Sequence, residues 1–114
     1  MSMTLKPRRI DDVVILDLGG RITIGEGAVM LRNQIQKLLD AGDAKFLLNL
    51  ADVDYIDSSG LGELVTSFTT VRNKNGQLKL LNLTRRVRDL LQITKLLTVF
   101  DTFDNETEAM KTLK

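Results

Sequence analysis

The sequence predicts an α/β domain, a mixed and largely parallel sheet of about five strands packed with four helices. Three observations carry this. Apolar runs at Val13-Val14-Ile15-Leu16-Asp17-Leu18, Phe46-Leu47-Leu48-Asn49-Leu50 and residues 77–83 alternate with stretches whose apolar residues recur at helical spacing, which is the pattern of repeated strand–helix units. The run 46–50 is too continuous for a half-exposed strand, so both of its faces are covered, as in parallel sheets. An opening hairpin adds the antiparallel component. With 114 residues, the chain is expected to form one domain over 1–114, large enough for one core and not for two.

Each element has its own signal. The only proline, Pro7, suits an edge strand, and residues 5–10 pair with the strand 13–18 through an Asp11-Asp12 turn. Gly19-Gly20 is expected to end that strand. From 26 to 41 the residues Leu31, Ile35, Leu38 and Leu39 share one helical face, and Gly42 is a natural stop. After strand 46–50 comes a short acidic loop, then a helix over 58–74 with Leu61, Leu64, Val65, Phe68 and Val71 inward. Asn75-Gly76 closes it and 77–83 forms another strand. Thr84 caps a helix carrying Val87, Leu90 and Leu91, Val99-Phe100 reads as a short strand, and Asn105 with Glu108 resembles a capping box for a last helix ending near Leu113.

Composition removes several kinds of chemistry. Sixteen basic residues against fifteen acidic ones give a net charge of +1, and aromatics are 4% of the chain; neither suits a general nucleic-acid binder. No apolar run has the length of a membrane span, and the N-terminus lacks the apolar core of a signal peptide. There is no histidine and no cysteine, so thiolate chemistry, disulfides and the usual zinc ligands are absent. No cofactor and no membrane association are expected, and the cytoplasm is the expected compartment.

The most informative run is Asp57-Ser58-Ser59-Gly60-Leu61-Gly62. It opens the second helix, where the first amide groups are unpaired and the dipole is positive. A phosphate added there is stabilised by the fold and still changes the charge of the surface. Small polar residues also serve simply as caps. The two glycines favour more than a cap, because each lowers helix propensity by about 1 kcal/mol relative to alanine, and their missing side chains let another backbone approach. The pattern Gly-x-Ser-x-Gly is not matched, since position 56 is Ile, and no histidine exists as a base; a serine–lysine pair with Lys45 or Lys74 has no supporting spacing. The phosphate-binding loop of nucleotide hydrolases is also missing. The serine therefore reads as one that is acted upon.

Three further features have two readings each. Asp52, Asp54 and Asp57 could hold magnesium, or stay solvated in a loop with Asp57 supporting the helix start. Arg85, Arg86 and Arg88 form a local basic cluster, which is either a solvated face or, because cations oppose the dipole of a helix start, a surface for an acidic partner. Ile24, between Thr23 and Gly25, either plugs the end of the sheet or contacts a partner.

The run 57–62, preceded by Leu48-Asn49-Leu50-Ala51-Asp52-Val53-Asp54-Tyr55-Ile56, resembles the STAS domain of bacterial anti-sigma factor antagonists. Leu16-Asp17-Leu18-Gly19-Gly20-Arg21-Ile22 is similar to that family's strand and Gly-x-Leu turn, and Gln77-Leu78-Lys79-Leu80-Leu81-Asn82-Leu83 with Val87, Leu90 and Leu91 fits its later strand and helix. The resemblance implies a STAS-like fold and a partner-switching protein, not an enzyme. It implies that the unphosphorylated chain binds an anti-sigma factor, a serine kinase with a histidine-kinase-like ATPase fold, and so releases a sigma factor. It makes Ser58 the phosphorylation site, with Ser59 second, and a serine phosphatase the enzyme that resets it. It also assigns Thr23, Ile24, Asp57, Ser58, Ser59, Gly60, Leu61 and Gly62 to the partner surface. The family often carries an acid where this chain has Thr23. STAS domains also occur as regulatory tails of anion transporters and in signalling scaffolds with an additional N-terminal domain; a weak nucleotide-hydrolysing activity is the enzyme alternative.

Overall fold

The computed structural model describes residues 3–113. The strands are β1 (Met3–Ile10), β2 (Val13–Ile22), β3 (Lys45–Ile56), β4 (Gln77–Leu81) and β5 (Thr102–Phe103), and the helices are α1 (Glu26–Asp40), α2 (Ser58–Asn73), α3 (Arg85–Ile93) and α4 (Glu106–Thr112). The five strands form one sheet in the order β1-β2-β3-β4-β5. β1 and β2 are antiparallel, with Ile10 opposite Val13 across a two-residue turn, and the remaining pairs are parallel. The predicted mixed, mostly parallel sheet with four helices is what the chain forms.

Successive parallel strands each lie one place further along, so crossovers of one hand put their helices on one face. α1, α2 and α3 accordingly share a single core with Val14, Leu16, Phe46, Leu48 and Leu80. α4 covers the other face, where Ala109 and Leu113 pack on Val13, Ile15, Leu47 and Leu81. This explains the unbroken apolar runs: Val13 to Leu16 and Phe46 to Leu48 are buried on both sides. Arg8 fastens the open end of α4, donating to both Asp17 and Glu106, and it holds both carboxyls below their ordinary range.

Four boundaries depart from the sequence reading. Gly19-Gly20 does not end β2. The strand continues to Ile22 because Gly19 lies against Thr4 and Asp52, where a Cβ would be crowded, and because a register shift with Gly20 at φ 79° absorbs the irregularity. The expected acidic loop after Leu50 is strand, since β3 runs on to Ile56 against this extended β2. β4 stops at Leu81, where Asn82 takes a φ of 56°. Finally, Val99-Phe100 is not a strand. Phe100 is buried edge-on against Phe68, centroids 5.2 Å apart, and the pairing with β4 falls to Thr102 and Phe103.

Helix signals survive well. Thr84 Oγ1 accepts from the Val87 amide, and Asn105 Oδ1 accepts from the Glu108 amide. The Asn105–Glu108 capping box is only half made, because the Glu108 carboxylate turns to Lys111 instead. On α2, Leu61, Leu64 and Val71 are buried as expected, while Val65 and Phe68 are half-buried against the same core.

Candidate partner-binding and modification site

Asp57 organises the carboxyl end of the sheet. It follows directly on β3 in extended conformation, φ −98° and ψ −176°, and caps α2. Its Oδ1 accepts from the Gly60 amide at 2.8 Å, and its Oδ2 accepts from the Ile24 amide at 2.9 Å. Its own amide donates to the Ile22 carbonyl at 3.3 Å. One carboxylate therefore joins the start of α2 to the loop after β2. That loop is closed on its other side by the Ala28 amide donating to the Thr23 carbonyl at 3.0 Å, and it turns at Gly25, φ 87°.

The amide of Ile24, and after it that of Gly60, holds the Asp57 carboxyl below its ordinary value of 3.8. A carboxyl lowered by folding stabilises the fold above its unfolded-state pKa, and that stabilisation is lost as pH falls through the lower folded-state value. In an acid titration followed by NMR, the Ile24 and Gly60 amide protons should therefore move together with a midpoint below 3.8. A midpoint at or above that value would contradict the bridging role of Asp57.

Around this bridge the predicted residues divide. Ser58 is exposed, Ser59 and Thr23 are half-buried, and Ile24 is 75% exposed, a large apolar side chain standing in solvent. Among the described residues the Ser58 hydroxyl makes no hydrogen bond within the protein. Gly62 is exposed, and nothing lies within 4 Å of where its Cβ would stand. Gly60 and Leu61 are different, since both are buried.

A Cβ on Gly60 would overlap the carbonyl oxygen of Ile22. The backbone that needs this glycine is thus the chain's own, at the end of β2. The reading of Gly60 as thinning an outward surface is corrected accordingly, and it applies to Gly62 alone. Gly60 and Leu61 shape the site from beneath.

The alternative chemistries lose their geometry. Lys45 lies at the opposite end of β3, paired with Asp12 at 2.9 Å. Lys74 lies past the far end of α2, sixteen positions beyond Ser58 and about 24 Å from it along the helix. Neither can act as a base for Ser58. Asp52 and Asp54 are exposed along β3, while Asp57 is engaged in the cap.

One buried acid escaped the sequence reading. Glu63, only 4% exposed, accepts from Arg32 Nε at 2.9 Å and from Ser67 Oγ at 3.1 Å, tying α1 to α2 just behind the site. Its signal was positional: it shares the inward face with Gly60, Leu64, Ser67 and Val71, but its charge argued for solvent.

Fold and site together define a class, a one-sheet α/β module that displays a capped helix start with an exposed serine at the carboxyl end of its parallel strands. The chain belongs to the STAS domain family, whose model matches residues 4–109. It is similar to the anti-sigma-B factor antagonist of Bacillus subtilis (strain 168), with 33% identity over 101 residues covering 89% of this chain and 91% of that protein. It also resembles the crystal structure of a candidate anti-sigma factor antagonist of Thermotoga maritima, with a TM-score of 0.88 and 28% identity, covering 96% of this chain and 93% of that one. The Bacillus protein SpoIIAA in its phosphorylated form shares the fold, with a TM-score of 0.77 at 19% identity and coverage of 97% and 100%.

Proposed function

We propose that the chain is an anti-sigma factor antagonist that works by partner switching. The unphosphorylated protein docks through Thr23, Ile24, Asp57, Ser58, Ser59 and Gly62 on an anti-sigma factor that is also a serine kinase with a histidine-kinase-like ATPase fold. Docking frees a sigma factor. The kinase then transfers the γ-phosphoryl group of ATP to the Ser58 oxygen, the hydroxyl proton leaves and ADP departs. The phosphorylated protein dissociates, and a serine phosphatase hydrolyses the phosphate to restore the docking form. On this reading the protein acts in the cytoplasm as one domain, touches no nucleic acid or membrane, and performs no catalysis itself.

The observation that carries this reading is the exposed, unbonded Ser58 hydroxyl at the first position of α2, beside the solvent-facing Ile24. An apolar side chain held out on a tethered loop suits a partner surface better than a solvated one. The names of the relatives agree with it: they are antagonists of anti-sigma factors.

Labelled ATP tests the assignment. With the cognate kinase present, label should appear on Ser58 and vanish in Ser58→Ala, and the protein alone should turn over no nucleotide. Label on Ser59 would move the switch by one residue, and nucleotide turnover by the protein alone would favour an enzyme.

A further inference from the structure

β3 is longer than the strand beside it. β4 pairs with it only over Lys45 to Asn49, whereas β2 follows it to Ile56. Residues 50–56 therefore have a second edge with no strand on it. Outside the strand ladders, and among the described residues, the one hydrogen bond made to this stretch is a side-chain bond, Ala51 amide to Asn49 Oδ1.

A strand edge of this kind invites another extended chain. The outer edges of the sheet are guarded: β1 carries Pro7 in its middle and β5 is two residues long, both devices that discourage strand addition. The β3 overhang has neither.

A cleft lies at the tip of this edge. Its volume is about 680 Å³, and Tyr55 and Ile56 of β3 face Arg85, Arg86, Asp89, Leu90 and Ile93 across it. Its floor is apolar, and Ile93 stands 79% exposed. Its rim is cationic. Arg21 and Arg86 both lie over the Tyr55 ring, at 4.5 and 5.9 Å from its centroid, and neither forms an ion pair among the described residues. Arg85 is 95% exposed and reaches Asp89 only at 4.0 Å. Asp89 is the single carboxylate on the walls; Asp52 and Asp54 stand exposed further back along β3 and do not line the cleft, so a segment seated here carries its acids at the Tyr55 end.

We infer that this cleft is a docking site for an extended acidic segment of a partner protein, added as a strand against residues 50–56 with its carboxylates at Arg21, Arg85 and Arg86. Backbone groups of β3 supply the pairing, Ile56, Leu90 and Ile93 receive apolar side chains, and the arginines set the charge preference. Ser58 and Ile24 do not line the cleft, although Ile56 leads directly into Asp57 and Ser58.

The test uses the whole chain, isotopically labelled for NMR, and blocked peptides of about ten residues. A peptide alternating glutamate and valine should shift the amides of 51–56 and 85–93, with a dissociation constant on the order of 0.1 mM that weakens with salt. Arg85→Glu with Arg86→Glu should weaken it about tenfold or more with the melting temperature retained, since both side chains are exposed. A lysine–valine peptide should not bind. Of two glutamate–valine peptides N-methylated at odd or even positions, one should lose binding and the other keep it. Shifts elsewhere on the protein, no shifts at about 1 mM peptide, or equal binding of both methylated peptides would overturn the inference.

Discussion

Leu64→Ala should lower the unfolding free energy by about 2–5 kcal/mol. Leu64 is wholly buried in the core that α1, α2 and α3 share with the sheet, so truncation removes apolar burial and leaves a cavity that surrounding β-strands cannot collapse to fill. For a domain of this size that is a large share of a total near 5–15 kcal/mol. Phe68→Ala should fall at the low end of the same range, because Phe68 is only half-buried against that core, where it meets Phe100 edge-on. Urea unfolding checks both. Midpoints indistinguishable from the parent would mean that this face of α2 does not carry the core.

The two glycines of α2 should respond in opposite directions to the same substitution. In Gly60→Ala the added methyl meets the Ile22 carbonyl oxygen and carbon and the Ile56 side chain. Two of those three atoms belong to backbone, which cannot turn away as a side chain does. The cost should be about 3 kcal/mol, far more than the ~1 kcal/mol that alanine gains in helix propensity. Gly62→Ala meets open space and should be neutral or stabilising by up to about 1 kcal/mol. If close approach of a partner is why Gly62 is there, the same change should weaken docking. Thermal melts of the two variants decide the stability claim: equal melting temperatures would mean that β2 yields and that Gly60 is not needed against it.

What the sequence revealed, and what it hid, follows from the range of the interactions involved. Caps at Asp57, Thr84 and Asn105 are local, and all three were legible. The doubly buried strands were legible because burial on two faces leaves an unbroken apolar run. The end of β2 was not, since Gly19-Gly20 reads as a break until Thr4 and Asp52 are seen against it. The extension of β3 through Asp52 and Asp54 was hidden for a related reason, as its acids face solvent from a strand that only β2 supports. Phe100 misled because an apolar pair in a turn reads like one in a short strand.

At the site, the family resemblance assigns Ser58, Asp57 and the Ile24 loop to one partner surface, and the structure joins Asp57 to the Ile24 amide. The carboxylate that joins them spans 33 residues, and spacing along the chain gives no hint of it. Gly60 was singled out for the right property, its missing side chain, and the wrong neighbour. Glu63 was missed because its partner Arg32 lies on another helix.

Under the proposed partner switch, phosphorylation of Ser58 acts on docking and leaves the fold intact. A phosphoryl group adds about −1.5 to −2 charges at neutral pH, and a negative charge at a helix start is favourable by about 0.3–1 kcal/mol, so the domain itself should tolerate it. Its cost falls on the partner surface, where a dianion beside exposed Ile24 and Gly62 would have to be desolvated. The direct measurement is the affinity of the cognate anti-sigma factor for the unmodified protein and for protein stoichiometrically phosphorylated on Ser58, with melting temperatures taken on the same samples. Phosphorylation should lower the affinity at least about a hundredfold, equivalent to roughly 2.7 kcal/mol, with little change in melting temperature. Equal affinity of the two forms would contradict the switch, and so would a loss of binding matched by unfolding.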